Sequence, residues 1–241
     1  MEIIKQHLAI SAENIQLLNK DIASLGYELV MTEGYLQLHS LNTKYKPLFI
    51  DFVDGKNRHR RLFGGGRKQP LAKAVGMKKS HNPSVFDLTA GLGRDAFVLV
   101  SLGCNVRMHE RSKIISALLA DALQRLSSNV ELREIAQRFD LISGDSLTLL
   151  QDLTKNDFPE VIYMDPMYPE HGKSALVKKE MRIFRELVGS DEDSVELLLL
   201  AQQRCTKRVA VKRPKGSEPL GGIKPNTSII SPNTRYDIYL V

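Results

Sequence analysis

Val85-Phe86-Asp87-Leu88-Thr89-Ala90-Gly91-Leu92-Gly93-Arg94-Asp95-Ala96 is the stretch on which the fold turns. It reads as an apolar strand (Val85–Leu88), a glycine turn and the start of a helix running from about Arg94 to Leu102. Gly91 and Gly93 let the backbone bend sharply and let a ligand approach with no Cβ in the way. The helix start offers free N–H groups to polar ligand atoms. Residues 91–96 also match a loose dinucleotide fingerprint, Gly-x-Gly-x-x-Ala.

Outward from this turn, strands and helices alternate. Strands are predicted at Asn105–Glu110, Phe139–Ile142, Val161–Met164 and Arg208–Lys212. Helices are predicted at Ile114–Ser127, Ser146–Leu153 and roughly 174–187 and 191–204, with apolar spacing clearest at Ile115, Leu118, Leu119, Ala122 and Leu126. Such alternation implies a mostly parallel α/β sheet covered on both faces. Thr227–Ser231 and Arg235–Val241 have no helix between them and predict an antiparallel ending. Ligands of such sheets bind beyond the carboxyl ends of the strands.

The N-terminal part differs. Glu28–Met31 and Tyr35–His39, joined at Thr32-Glu33-Gly34, read as a hairpin, and Leu48–Val53 as a third strand. A loop follows with Lys56, Arg58, Arg60, Arg61, Arg67 and Lys68 among Gly64-Gly65-Gly66 and Phe63. Gln69–Met77 reads as a short helix. The expected division is a small antiparallel β extension over 1–68 and a catalytic α/β domain over 69–241.

Composition narrows the classes. The 241 residues are 42% hydrophobic and 26% charged, an ordinary globular balance. Two distant cysteines make neither a disulfide framework nor a metal motif, and the six histidines form no ligand pair. No metal is expected. Nor is a membrane span, since no apolar run is long enough. The N-terminus lacks the pattern of a signal peptide, so the expected location is cytoplasmic. A net charge of +6 is compatible with a nucleic-acid partner.

The strand ends carry candidate chemistry. A carboxylate at Asp87, with Asp95 beyond the glycines, would repel a pyrophosphate and suits the ammonium and sulfonium of S-adenosylmethionine. Glu110, ending the next strand, can accept two hydrogen bonds from a ribose diol, which dinucleotides and S-adenosylmethionine share. Arg111 could cover an adenine or pair with Glu110. Asp145 could accept from an adenine amine, with Ser146 beside it, or cap the following helix. Asp165-Pro166-Met167-Tyr168-Pro169 is the most specific feature. Methylating an exocyclic amine requires acceptors that hold the nitrogen and aim its lone pair. Asp165 supplies a carboxylate, Pro166 a carbonyl in a stiffened turn, and Tyr168 a ring for an unstacked base.

These motifs, together with His109-Glu110-Arg111, Val211-Lys212-Arg213-Pro214 and the loop ending Gly64-Gly65-Gly66-Arg67, resemble the bacterial ribosomal RNA small subunit methyltransferase J family. The resemblance runs along nearly the whole chain. It implies a Rossmann-like class I methyltransferase fold and methylation of a guanine N2 in 16S rRNA of the small ribosomal subunit. By motif match it assigns Arg94, Asp95, Glu110, Arg111, Ser146 and Asp165 to the cofactor, with Leu147 through its backbone. Arg58, Arg60, Arg61, Arg67, Lys68, Lys212 and Arg213 are the expected RNA contacts.

Overall fold

Residues 10–41, 46–54, 65–167, 187 and 191–241 are described by the computed structural model. The chain opens on helix α1 (Ala12–Ile22), whose Ser11 cap accepts from the Asn14 N–H at 3.1 Å. A hairpin follows, β1 (Tyr27–Thr32) and β2 (Tyr35–Ser40). Its two-residue turn, Glu33-Gly34, has positive φ at both positions, the geometry that matches strand twist in tight hairpins. Asn19 ties α1 to the hairpin, donating to Leu29 O at 2.9 Å and accepting from Leu29 N at 2.7 Å.

The third strand expected at Leu48–Val53 is not formed. Leu48 makes one antiparallel bridge to Leu38. The Asp51 carboxylate then accepts from the Val53 and Asp54 N–H groups and turns the chain away from the sheet. That turn drives Phe52 inward, where it stacks on Phe97 and Phe139 at 5.1 and 5.7 Å between ring centroids.

The remaining elements build a layered α/β unit. They are α2 (Pro70–Ala74), β3 (Ser84–Asp87), α3 (Arg94–Ser101), β4 (Asn105–Glu110), α4 (Lys113–Ser128), α5 (Arg133–Ala136), β5 (Phe139–Ser143), α6 (Ser146–Asp152), β6 (Val161–Met164), α7 (Ser194–Gln203), β7 (Arg208–Pro214), β8 (Thr227–Ile230) and β9 (Thr234–Leu240). Seven strands form one sheet in the order β5-β4-β3-β6-β7-β9-β8. The first five are parallel, and β9 runs antiparallel to both β7 and β8. The expected α/β sheet with an antiparallel ending is thus present.

Alternation along the strands makes two cores. Val85, Val161, Tyr163 and Ala210 face one side, with α3, α4 and the N-terminal unit. Phe86, Ile162, Met164, Val209 and Val211 face the other, with α6 and α7. The first core takes in Leu18, Leu29, Leu36 and Phe52, so the N-terminal unit shares the buried interior of the sheet. From β3 the chain runs outward to β5, then returns to β6 on the other side of β3. This reversal opens a crevice at the carboxyl ends of β3 and β6.

The helix expected at 174–187 lies outside the described residues except for Leu187. Tyr168, Arg58, Arg60, Arg61 and Phe63 also lie outside them.

Candidate active site

A cavity of about 340 Å³ fills that crevice, within the range of small-ligand sites. Parallel register brings its parts together. Asp87 pairs with Met108 on one side and Tyr163 on the other, so Glu110 and Asp165 emerge at the same edge. Ala90 N donates to His109 O at 3.0 Å, fastening the glycine turn over the end of β4.

Seven acids line the cavity: Asp87, Asp95, Glu110, Asp145, Asp165, Asp191 and Asp193. Three bases, Arg94, Arg111 and Lys212, line it with them. Asp87 is fully enclosed, and burial holds its carboxyl well above the usual range. Asp95 accepts from the Tyr163 hydroxyl at 2.6 Å and from Lys212 Nζ at 2.9 Å. Lys212 Nζ also reaches Asp165 at 2.7 Å, while the Asp165 N–H donates to Thr89 Oγ1 at 2.6 Å. Glu110 accepts from Gly91 N at 2.9 Å and Ser112 N at 2.8 Å. Burial pushes its pKa up to about 7, against the pull of those two N–H groups.

An acid-lined pocket of this size repels a pyrophosphate and accommodates a cationic nucleoside. Glu110 keeps lone pairs for hydroxyl donors even with two backbone partners. The residues present therefore fit S-adenosylmethionine.

The comparisons agree. Residues 11–241 match a family model described as "Putative SAM-dependent methyltransferase". Ribosomal RNA small subunit methyltransferase J of Shewanella loihica is 50% identical over 216 residues, covering 89% of this chain and 83% of its own. The protein of the same name from Tolumonas auensis is 48% identical, covering 98% and 95%. The chain belongs to the ribosomal RNA small subunit methyltransferase J family. A crystal structure of a SAM-dependent methyltransferase from Neisseria gonorrhoeae superposes with a TM-score of 0.72 at 37% identity, covering 89% of this chain and 83% of that one. The protein is a methyltransferase, and S-adenosylmethionine is its cofactor. Among the described residues no cluster could hold a metal, and no helix is long and apolar enough to cross a membrane.

Several residues of this methyltransferase sit differently from expectation. Gly93 does not line the cavity. A Cβ there would lie 2.8 Å from Phe52 and 2.9 Å from Leu119, so packing and a positive φ already require glycine at this position. Leu147 packs against the second core instead of facing the cavity. Asp145 caps α6, accepting from Thr148 N at 2.8 Å, and also lines the cavity. Ser146 donates to Leu88 O at 2.8 Å. Arg111 pairs with Asp191 and, at 3.4 Å, with Asp193, instead of Glu110. Asp191 also accepts from Met167 N at 2.6 Å and so links Arg111 to the Asp165–Met167 turn.

Three expected RNA contacts are engaged elsewhere. Lys212 points into the cavity between two carboxylates. Arg213 is buried and donates to Glu218 O. Arg67 clamps Lys78 O at 2.6 Å and Leu102 O at 3.1 Å. Lys68 is exposed.

Sequence reading missed Thr89, Tyr163, Asp191 and Asp193. Tyr163 carried a signal, because the residue two before Asp165 on a strand faces the helix that carries Asp95. His109 is also new: it lines the cavity, is fully buried, and among the described residues neither ring nitrogen has a hydrogen-bond partner. Burial lowers its pKa to about 3 and keeps it neutral.

Proposed function

We propose that this methyltransferase methylates the exocyclic N2 of a guanine in 16S rRNA of the small ribosomal subunit, in the cytoplasm. The observation that carries the chemistry is Asp165 followed by Pro166 at the edge of an acid-lined cavity. The relatives' shared name supports the substrate.

Asp87 and Asp95 would balance the cofactor's positive charge, Glu110 would take the ribose hydroxyls, and Asp145 with Ser146 would flank the adenine. Gly91, Arg94 and Arg111 complete the wall. Bound S-adenosylmethionine supplies an electrophilic methyl group with its leaving group attached. Asp165 and the Pro166 carbonyl accept from the target amine and turn its lone pair toward that methyl. The nitrogen gains one bond to carbon as the methyl–sulfur bond breaks, and it sheds one proton to water, readily because methylation makes it acidic. Alignment then supplies much of the rate.

A base must leave its stack to reach such a site. Tyr168 would give it a ring to lie on, an interaction worth about 1–3 kcal/mol. The 1–68 unit would bring the basic loop, with Arg58, Arg60 and Arg61 beside Lys68, to the phosphate backbone.

The test is transfer from labelled cofactor to small subunits lacking the modification, followed by nucleoside analysis. Label in N2-methylguanosine is expected. Label in another nucleoside would refute the substrate. Asp165→Ala should remove transfer, at least about a hundredfold, with circular dichroism unchanged. Full activity in that variant would remove Asp165 from the chemistry.

A further inference from the structure

We infer that Lys212 is a positioning residue for methyl transfer: its ammonium bridges Asp95 and Asp165 and holds both carboxylates side by side as hydrogen-bond acceptors. This rests on the proposed role of Asp165 as acceptor of the target amine.

The bridge follows from the sheet. Met164 pairs with Val211 in parallel register, so the residues just beyond them, Asp165 and Lys212, emerge side by side. The ammonium then lies 2.7 Å from Asp165 and 2.9 Å from Asp95. The Lys212 side chain is 24% exposed, and those of Asp95 and Asp165 are 12% and 39%, so the bridge is enclosed on its Asp95 side and opens toward the cavity mouth at Asp165. A lysine is seldom drawn this far inward unless its charge is matched.

The groups facing Asp165 come from several elements. Asp87 stands at the end of β3, Asp95 on α3, Tyr163 on β6, Asp191 ahead of α7 and Lys212 on β7. Lys212 is the cation in this group. Burial and Asp95 push the Asp165 carboxyl above its ordinary range, and Lys212 pulls it back. With the cation gone, burial and repulsion favour a proton on Asp165. A protonated carboxyl presents a donor where the amine requires an acceptor. Lys212 also offsets only one of the two carboxylates, which leaves negative charge for a cationic cofactor.

Lys212→Met keeps most of the side-chain volume and removes the charge. Lys212→Arg keeps the charge. Single-turnover methyl transfer is measured across pH for both and for the wild type. Cofactor and RNA are saturating, so that titration of Glu110 does not enter through binding. In Lys212→Met the acid limb should move up by at least about one pH unit, with a loss of roughly tenfold or more near neutrality that shrinks as pH rises. Lys212→Arg should keep the limb near the wild-type position. A loss by the same factor at every pH, an unmoved limb, or an unchanged rate would overturn the inference. If Lys212→Met does not fold, Lys212→Gln gives the same comparison with the same outcomes. An inactive Asp165→Ala with an unmoved limb in Lys212→Met leaves the proposed chemistry standing and removes Lys212 from it. A fully active Asp165→Ala removes the chemistry itself.

Discussion

Replacing Glu110 with Gln separates the charge of that buried group from its shape. The carboxyl is 4% exposed and its pKa stands at about 7, against 4.5 for the free group. Burial is the main cause of the rise. The folded state therefore holds this proton to a higher pH than the unfolded chain does. Between the two values the folded state binds more protons, so stability falls as pH rises through that window. From about pH 5 to about pH 8 the wild type should lose roughly 2–3 kcal/mol through this one group. Glu110→Gln has no proton to lose and lacks this part of the pH dependence. Its amide oxygen can serve Gly91 N or Ser112 N but not both, a cost of about 1–3 kcal/mol at every pH. The variant is thus clearly weaker near pH 5 and closes much of the gap near pH 8. Urea unfolding of the cofactor-free protein at the two pH values measures the gap directly. A gap that is constant within about 0.5 kcal/mol would refute the assignment of that proton to Glu110.

Gly93→Ala adds a Cβ against Phe52 and Leu119 at positive φ, and should cost about 2–4 kcal/mol. Gly34→Ala, with positive φ but open space, should cost about 1–2 kcal/mol; equal losses in urea unfolding would show that crowding at Gly93 is absent. Arg67→Met removes a clamp on two backbone carbonyls and should cost about 1–3 kcal/mol while leaving the salt dependence of RNA binding unchanged. A flattened salt dependence with unchanged stability would return Arg67 to the RNA surface.

The central sheet was legible because its strands are short apolar runs punctuated by turns. Asn105–Glu110 and Val161–Met164 match their expected bounds. The N-terminal part was harder. Helix α1 carries a Ser11 cap and apolar residues at Ile15, Leu18 and Ile22, but its signal is weaker than that of the hairpin that follows. Leu48–Val53 has strand composition, but Asp51 bonding to its own backbone overrides propensity. In the site, Asp87, Glu110 and Asp165 were readable because strand ends determine their place, whereas Asp191 and Asp193 stand ahead of α7 and were not. Nor were the settings of Lys212, Arg213 and Arg67. A lysine or arginine carries its charge several bonds from the backbone, and sequence says nothing of where that end settles. Lys212, Arg213 and Arg67 have ordinary surface composition, and each head group turns inward. The packing role of Gly93 was not legible for a related reason, since what crowds it comes from Phe52 and Leu119, neither of them near it in the chain.

Phe52 links two histories. Its ring occupies the space that any side chain at position 93 would need. The N-terminal segment and the glycine turn therefore divide one volume between them. A side chain at 93 would need room from both Phe52 and Leu119 and would still carry the strain of a positive φ. A segment with the composition of an accessory tail thus helps to set the shape of the glycine turn.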